Sequence, residues 1–309
     1  MQSHYVLYTT EAPGPKSLLF KLAALKNNET MRTKTVEEHR VILRRFSDIR
    51  PIPPACKTEP ALIEGVPCEW ITTPESRPDK VVVYLHGGSW IFGDLSSARP
   101  VGVLLAEMGD FTVLAVDYRL APEHPFPAGL DDCEAVYRHL LEKGFPPDKI
   151  GLFGDSAGGN LSLCLLHRLR EEGVPFPAAV ACASPVTDLQ PGSSMRQLES
   201  DLNYTRYKGE EWDIFSLYLA GVDPRDPSIS PILGDMTGFP PILLHVGADE
   251  ALCEDNVAFA EQACAQGVKV ICKVWNGMYH DFAIVGVTLK ESKESMLEVS
   301  AFFRKYMAR

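Results

Sequence analysis

Ile150-Gly151-Leu152-Phe153-Gly154-Asp155-Ser156-Ala157-Gly158-Gly159-Asn160 is the stretch whose reading decides the fold. Residues 150–153 suit a short strand covered on both faces, and residues 161–170 continue as an apolar helix. Between them lies a G-x-S-x-G turn, so the pattern is strand, sharp turn with one serine, helix: a nucleophile elbow. So tight a turn strains the serine backbone, and side chains at Gly154 or Gly158 would collide with the flanking strand and helix. The Ser156 hydroxyl then stands clear of the sheet, beside a helix N-terminus whose free N–H groups favour developing negative charge. Alone the pattern is weak. Its meaning depends on whether a base, a carboxylate and an oxyanion site follow in compatible places.

Outward from the elbow the chain reads as α/β. Residues 81–85 and 111–116 are continuous apolar runs of strand length, and 178–183, 242–246 and 268–274 are further strand candidates. Leu130, Cys133, Val136, Tyr137, Leu140 and Leu141 repeat at helical spacing, and helices are expected around 257–264 and 296–306. This alternation predicts one mostly parallel sheet with helices on both faces. Residues 1–50 look different. Thr35-Val36-Glu37-Glu38 has capping-box spacing, His39, Ile42, Leu43 and Phe46 share one helical face, and 17–26 is a second helix candidate. Pro51, Pro53 and Pro54 separate this helical cap from a domain over 51–309. Residues 188–231 interrupt the alternation with a polar loop and an aromatic helix bearing Trp212, Phe215, Tyr218 and Leu219. They are expected to form a second cap insertion, with an ordinary core helix as the alternative.

Composition narrows the function classes. The 309 residues carry a formal charge of −11, which argues against nucleic acid and against anionic membrane surfaces as partners. No run approaches ~20 apolar residues, and the first sixteen residues lack the apolar centre of an export signal. A cytoplasmic location is therefore expected. The eight cysteines are scattered without CxxC pairs or Cys/His spacing, so reduced thiols are expected and no metal.

In hydrolases of this architecture the acid and the histidine follow the serine. His280, in a loop just after the last strand, is placed to lean over the sheet as general base. Asp249 and Glu250 both follow the 242–246 strand, at the end where parallel sheets bind ligands. His86-Gly87-Gly88-Ser89-Trp90 follows the 81–85 strand. Its backbone N–H groups at Gly87, Gly88 and Ser89, with that of Ala157, would form an oxyanion site. G-x-G-x-x-G and G-K-[ST] spacings are absent, so a nucleotide site is not expected. The other histidines read as making local or core hydrogen bonds (His124, His245) or as surface and helix-face positions (His4, His39, His139, His167).

Taken together, His86–Trp90, Tyr118–Ala128 and Gly154–Asn160 closely resemble the hormone-sensitive-lipase-like family of carboxylesterases. Asp226-Pro227, Ser230-Pro231, Asp249 ahead of Leu252, and His280-Asp281-Phe282 continue the match in order, over roughly residues 60–305. The resemblance implies an α/β-hydrolase fold with an N-terminal helical cap. It also implies Ser156, His280 and Asp249 as catalytic triad, Asp249 being preferred to Glu250, with no cofactor. The expected reaction is hydrolysis of small, hydrophobic, short-chain esters, with arylacetamide deacetylation or a non-catalytic receptor as alternatives; a homodimer is a further expectation. Two departures stand out. Ser89 replaces the third glycine of the family's HGGG loop, and Asp281 replaces the glycine of its His-Gly-Phe motif.

Overall fold

The computed structural model describes residues 6–9, 11–31, 34–48, 52–194 and 214–307. Its strands are β1 (Val6–Tyr8), β2 (Lys57–Ile63), β3 (Val66–Thr72), β4 (Arg77–Leu85), β5 (Phe111–Val116), β6 (Ile150–Asp155), β7 (Ala179–Ala183), β8 (Ile242–Gly247) and β9 (Val270–Trp275). They form one sheet in the order β1-β9-β8-β7-β6-β4-β5-β3-β2. From β1 to β5 every pairing is parallel, and only β3 and β2 run antiparallel at one edge. Every residue of β5, β6, β7 and β8 is buried, as parallel strands sandwiched between helices must be. This is the α/β-hydrolase fold.

Helices α1 (Pro15–Met31), α2 (Val36–Asp48), α3 (Leu95–Met108), α4 (Ala128–Glu142), α5 (Ser156–Glu171), α6 (Ile214–Leu219), α7 (Cys253–Ala265) and α8 (Lys290–Tyr306) surround the sheet. Thr35 caps α2 as its spacing predicts: Glu38 N–H donates to Thr35 Oγ1 and Thr35 N–H to Glu38 Oε2. His39, Ile42 and Leu43 of α2 are half-buried, while the Phe46 side chain and Trp212 lie outside the described residues. Phe215, Tyr218 and Leu219 of α6 are buried in the main core. Tyr218 stacks on Trp90 with ring centres 4.3 Å apart.

Candidate active site

β6 and β4 sit side by side near the middle of the sheet, so the turns leaving their C-terminal ends face each other. β6 passes directly into α5 at Ser156, whose φ is +48°. A side chain held in the left-handed region costs on the order of 1–3 kcal/mol and persists only where its surroundings over-determine it. Here they do. A Cβ on Gly158 would lie 1.9 Å from the Leu85 carbonyl oxygen, so only glycine lets α5 begin this close to β4. Ser156 is nearly buried, with 8% of its surface exposed.

His280 lies in the loop after β9, and its Nε2 is 2.9 Å from Ser156 Oγ. On its other side Nδ1 is 3.3 Å from Glu250 Oε2. Asp249, the expected partner, is not there: it is exposed, and its carboxylate pairs with Lys21 of α1. This corrects the placement drawn from the sequence. The chain leaves β8 with Ala248 N–H bonded to Trp275 O and Asp249 N–H to Met278 O. After those bonds Glu250 is the side chain that turns inward, and it is buried.

Sequence reasoning missed Ser184, which holds this arrangement together. It is fully buried just after β7 with φ +46°. Its Oγ donates to Glu250 Oε2 at 2.8 Å and accepts the Asp281 N–H at 3.2 Å. One hydroxyl thus ties the acid to the histidine loop. The only signal was its position at a strand's C-terminal end. Asp281 itself has φ +59°, which explains why glycine suits that position. Its Oδ2 lies 3.4 Å from His280 Nε2, on the serine side of the ring. Burial pushes its carboxyl well above the ordinary range, with His280 pulling the other way.

The glycine loop after β4 is built as a turn. The Gly88 carbonyl accepts the N–H groups of both Ile91 and Phe92, and Gly88, Ser89 and Trp90 all have positive φ (+118°, +55° and +59°). Gly87 does not serve as expected: its N–H donates to Asp155 Oδ2 at 2.9 Å. The N–H groups of Gly88 and Ser89 donate to no described residue, and that of Ala157 is in the first turn of α5, where helix donors are free. Asp155 also accepts from Tyr84 Oη at 2.7 Å. Burial raises its carboxyl to about 6, against the opposing pull of those two bonds. His86 points away from Ser156. Its ring stacks on Tyr118, and its Nδ1 donates to the Gly87 carbonyl.

The other histidines have structural places. His245 Nδ1 meets Ser295 Oγ at 2.6 Å, as a core histidine should. His167 is buried against the Pro231 carbonyl rather than at a surface, and burial pushes its imidazole pKa down. Among the described residues no three His, Cys, Asp or Glu side chains converge as a metal site, and no helix is long and apolar enough to cross a membrane.

A family model described as the alpha/beta hydrolase fold matches residues 82–284. The chain is 39% identical over 242 residues to an acetyl-hydrolase of Streptomyces hygroscopicus, spanning 76% of this chain and 79% of that protein. It is 32% identical over 264 residues to an esterase of Acinetobacter venetianus, spanning 85% and 87% of the two. The crystal structure of an esterase from the bacterial hormone-sensitive lipase family aligns with a TM-score of 0.88 at 34% identity. That alignment covers 96% of this chain and 100% of that one.

Proposed function

The chain belongs to the hormone-sensitive-lipase-like family of α/β-hydrolases and is a carboxylic ester hydrolase, and on that premise we propose that it cleaves short-chain acyl esters through a Ser156–His280–Glu250 triad. The observation that carries this reading is the 2.9 Å approach of His280 Nε2 to Ser156 Oγ. Across the ring, Glu250 meets Nδ1.

Neutral His280 takes the Ser156 proton at Nε2 as Oγ attacks the ester carbonyl. Glu250 holds the Nδ1–H tautomer and stabilises the imidazolium that forms. The carbonyl oxygen becomes an oxyanion facing the free N–H groups of Gly88, Ser89 and Ala157, which are fixed before the reaction begins. Imidazolium then protonates the leaving alkoxide, and the C–O bond breaks to leave an acyl group on Ser156. Water, deprotonated by the same imidazole, attacks the acyl carbonyl, and proton return to Oγ releases the acid.

Two features support a short acyl chain. Helices α1 and α2 border the site at two points, Lys21 at Asp249 and Arg40 at the Ile91 carbonyl, so in this reading they form a cap over the catalytic domain, whereas β1 belongs to its sheet. A roofed pocket has finite depth. Each methylene that fits gains about 0.8 kcal/mol, whereas one too many costs about 1–3 kcal/mol in displaced packing. The acetyl-hydrolase named above points the same way. We expect kcat/KM for p-nitrophenyl esters to rise from acetyl to butyryl or hexanoyl and then collapse. Activity still climbing at C12 to C16 would overturn the short-chain reading. Ser156→Ala should lower kcat by roughly 10⁴-fold with the fold intact, and an organophosphate should label Ser156 alone.

A further inference from the structure

We propose that Arg40, on α2 and far from Ser156 in sequence, is a positioning residue for the oxyanion donors. The inference rests on the esterase reading above, because it concerns the loop that presents Gly88 and Ser89.

The loop is a strained object. Ser89 and Trp90 are consecutive non-glycine residues in the left-handed region, where L side chains stay only if held. Three holds surround them. The Trp90 ring is buried and stacked on Tyr218. The Trp90 carbonyl accepts the Ala121 N–H at 2.9 Å. The next carbonyl, Ile91, accepts Arg40 Nε at 2.9 Å. The same guanidinium reaches the other strap: Nη2 donates to the Ala121 carbonyl at 2.9 Å, and Nη1 and Nη2 grip Glu123 at 2.7 and 2.9 Å. Arg40 therefore joins the oxyanion loop to the segment that buttresses it, by two backbone carbonyls and one carboxylate.

Only arginine can do this. A planar fork of five donors reaches three acceptors in fixed directions, whereas a lysine ammonium is a single point with a flexible stem. The Arg40 side chain is only 20% exposed, so water does not readily replace it. Neighbouring His39 packs on Phe92, the next residue of the loop, at 4.3 Å between ring centres. Two adjacent residues of α2 thus bear on the same turn.

Losing the Arg40 bonds should let the Gly88 and Ser89 amides drift from the developing oxyanion. Since those bonds strengthen in the transition state, the loss should fall on kcat rather than KM. Removing one oxyanion donor costs about 10²–10³ in kcat. Displacing donors that remain present should cost less, so Arg40→Ala is expected to lower kcat roughly 10- to 100-fold with KM within about threefold. The reading specific to position is spectroscopic. In the acyl-enzyme formed with an arylacryloyl ester, oxyanion hydrogen bonds lower the acyl carbonyl stretching frequency. Arg40→Ala should raise it, and added methylguanidine should restore part of both rate and frequency. Glu123→Gln keeps both carbonyl bonds and should retain most of kcat.

An unshifted carbonyl frequency in Arg40→Ala, or an equal loss in Glu123→Gln, would overturn the proposal and leave Arg40 as a helix anchor. If Arg40→Ala does not fold, Arg40→Lys carries the same test: a raised frequency supports positioning and an unchanged one refutes it. Failure of the wild-type protein to acylate at Ser156 would instead refute the esterase mechanism itself, so the two failures are distinguishable.

Discussion

Asp249 and Glu250 are separated by one peptide bond and meet opposite surroundings: one is exposed beside Lys21, the other buried against Ser184 and His280. Their substitutions should differ accordingly. Glu250→Gln should lower kcat by about 10³- to 10⁴-fold, because an amide no longer stabilises imidazolium or fixes its tautomer. Asp249→Asn should cost less than about threefold, since it loses only a partly exposed ion pair. Steady-state kinetics on the two variants decides between them, and a larger loss at Asp249 would return the acid role to it. The approach of His280 to Ser156 and the turn at Gly88 and Ser89 were legible because each is tied to a motif of fixed spacing, whereas the use of the Gly87 N–H by Asp155 was not. Which carboxylate meets His280 was not legible, because strand alternation ends at Gly247 and nothing in the sequence says which of two adjacent carboxylates turns inward. Asp281 offers a separate test. Its left-handed backbone costs about 1–2 kcal/mol and its buried, unpartnered Oδ1 about 1–3. Glycine forfeits only about 0.5–1 in chain entropy. Asp281→Gly should therefore raise the urea unfolding free energy by about 1 kcal/mol or more.

Among the elements, α5 is the one that cannot move. Gly158→Ala would thrust a Cβ to 1.9 Å from Leu85 O and 2.5 Å from His86 O, and both are backbone atoms where β4 passes into the glycine loop. Overpacking of this kind costs about 1–3 kcal/mol where side chains can yield, and here the upper end or beyond is expected. The variant should show a lowered denaturant midpoint together with esterase loss. Strands β4 to β9 and most helices were readable from their apolar runs. α3 was not, although Asp94 and Ser97 make a full capping box at its start. Pro100 lies inside it, and a proline that deletes a helical hydrogen bond argues locally against the helix. Packing on β3 and β5 outweighs that preference. β1 has only three residues, too few for any periodicity to register.

For the molecule as a whole, two carboxyls each add a pH-dependent contribution to stability. Burial raises Asp155 to about 6. Burial, with Asp94 nearby, raises Asp117 to about 6, beside a cavity of about 390 Å³ lined also by Arg40 and Arg44. Both are higher folded than unfolded, where aspartate titrates near 4. The folded protein therefore keeps protons that the unfolded chain releases, and these groups' contribution to stability is lost as pH rises from about 4 to 6. Urea unfolding of wild type and Asp117→Asn at pH 4, 5, 6 and 7 should show the stability of the wild type relative to the variant falling as pH rises; a constant difference would exclude Asp117 as a contributor. The Arg40 clamp has a further consequence, for how the protein is made. Arg40 leaves the ribosome 51 residues before Ile91 and 81 before Ala121. At about 5–20 residues per second the second gap lasts roughly 4–16 s. A 13-residue helix has little stability alone, so α2 spends that interval without its partners and docks only after they have been synthesised. Nascent chains would thus pass through a stage in which the N-terminal segment is open to proteases and chaperones.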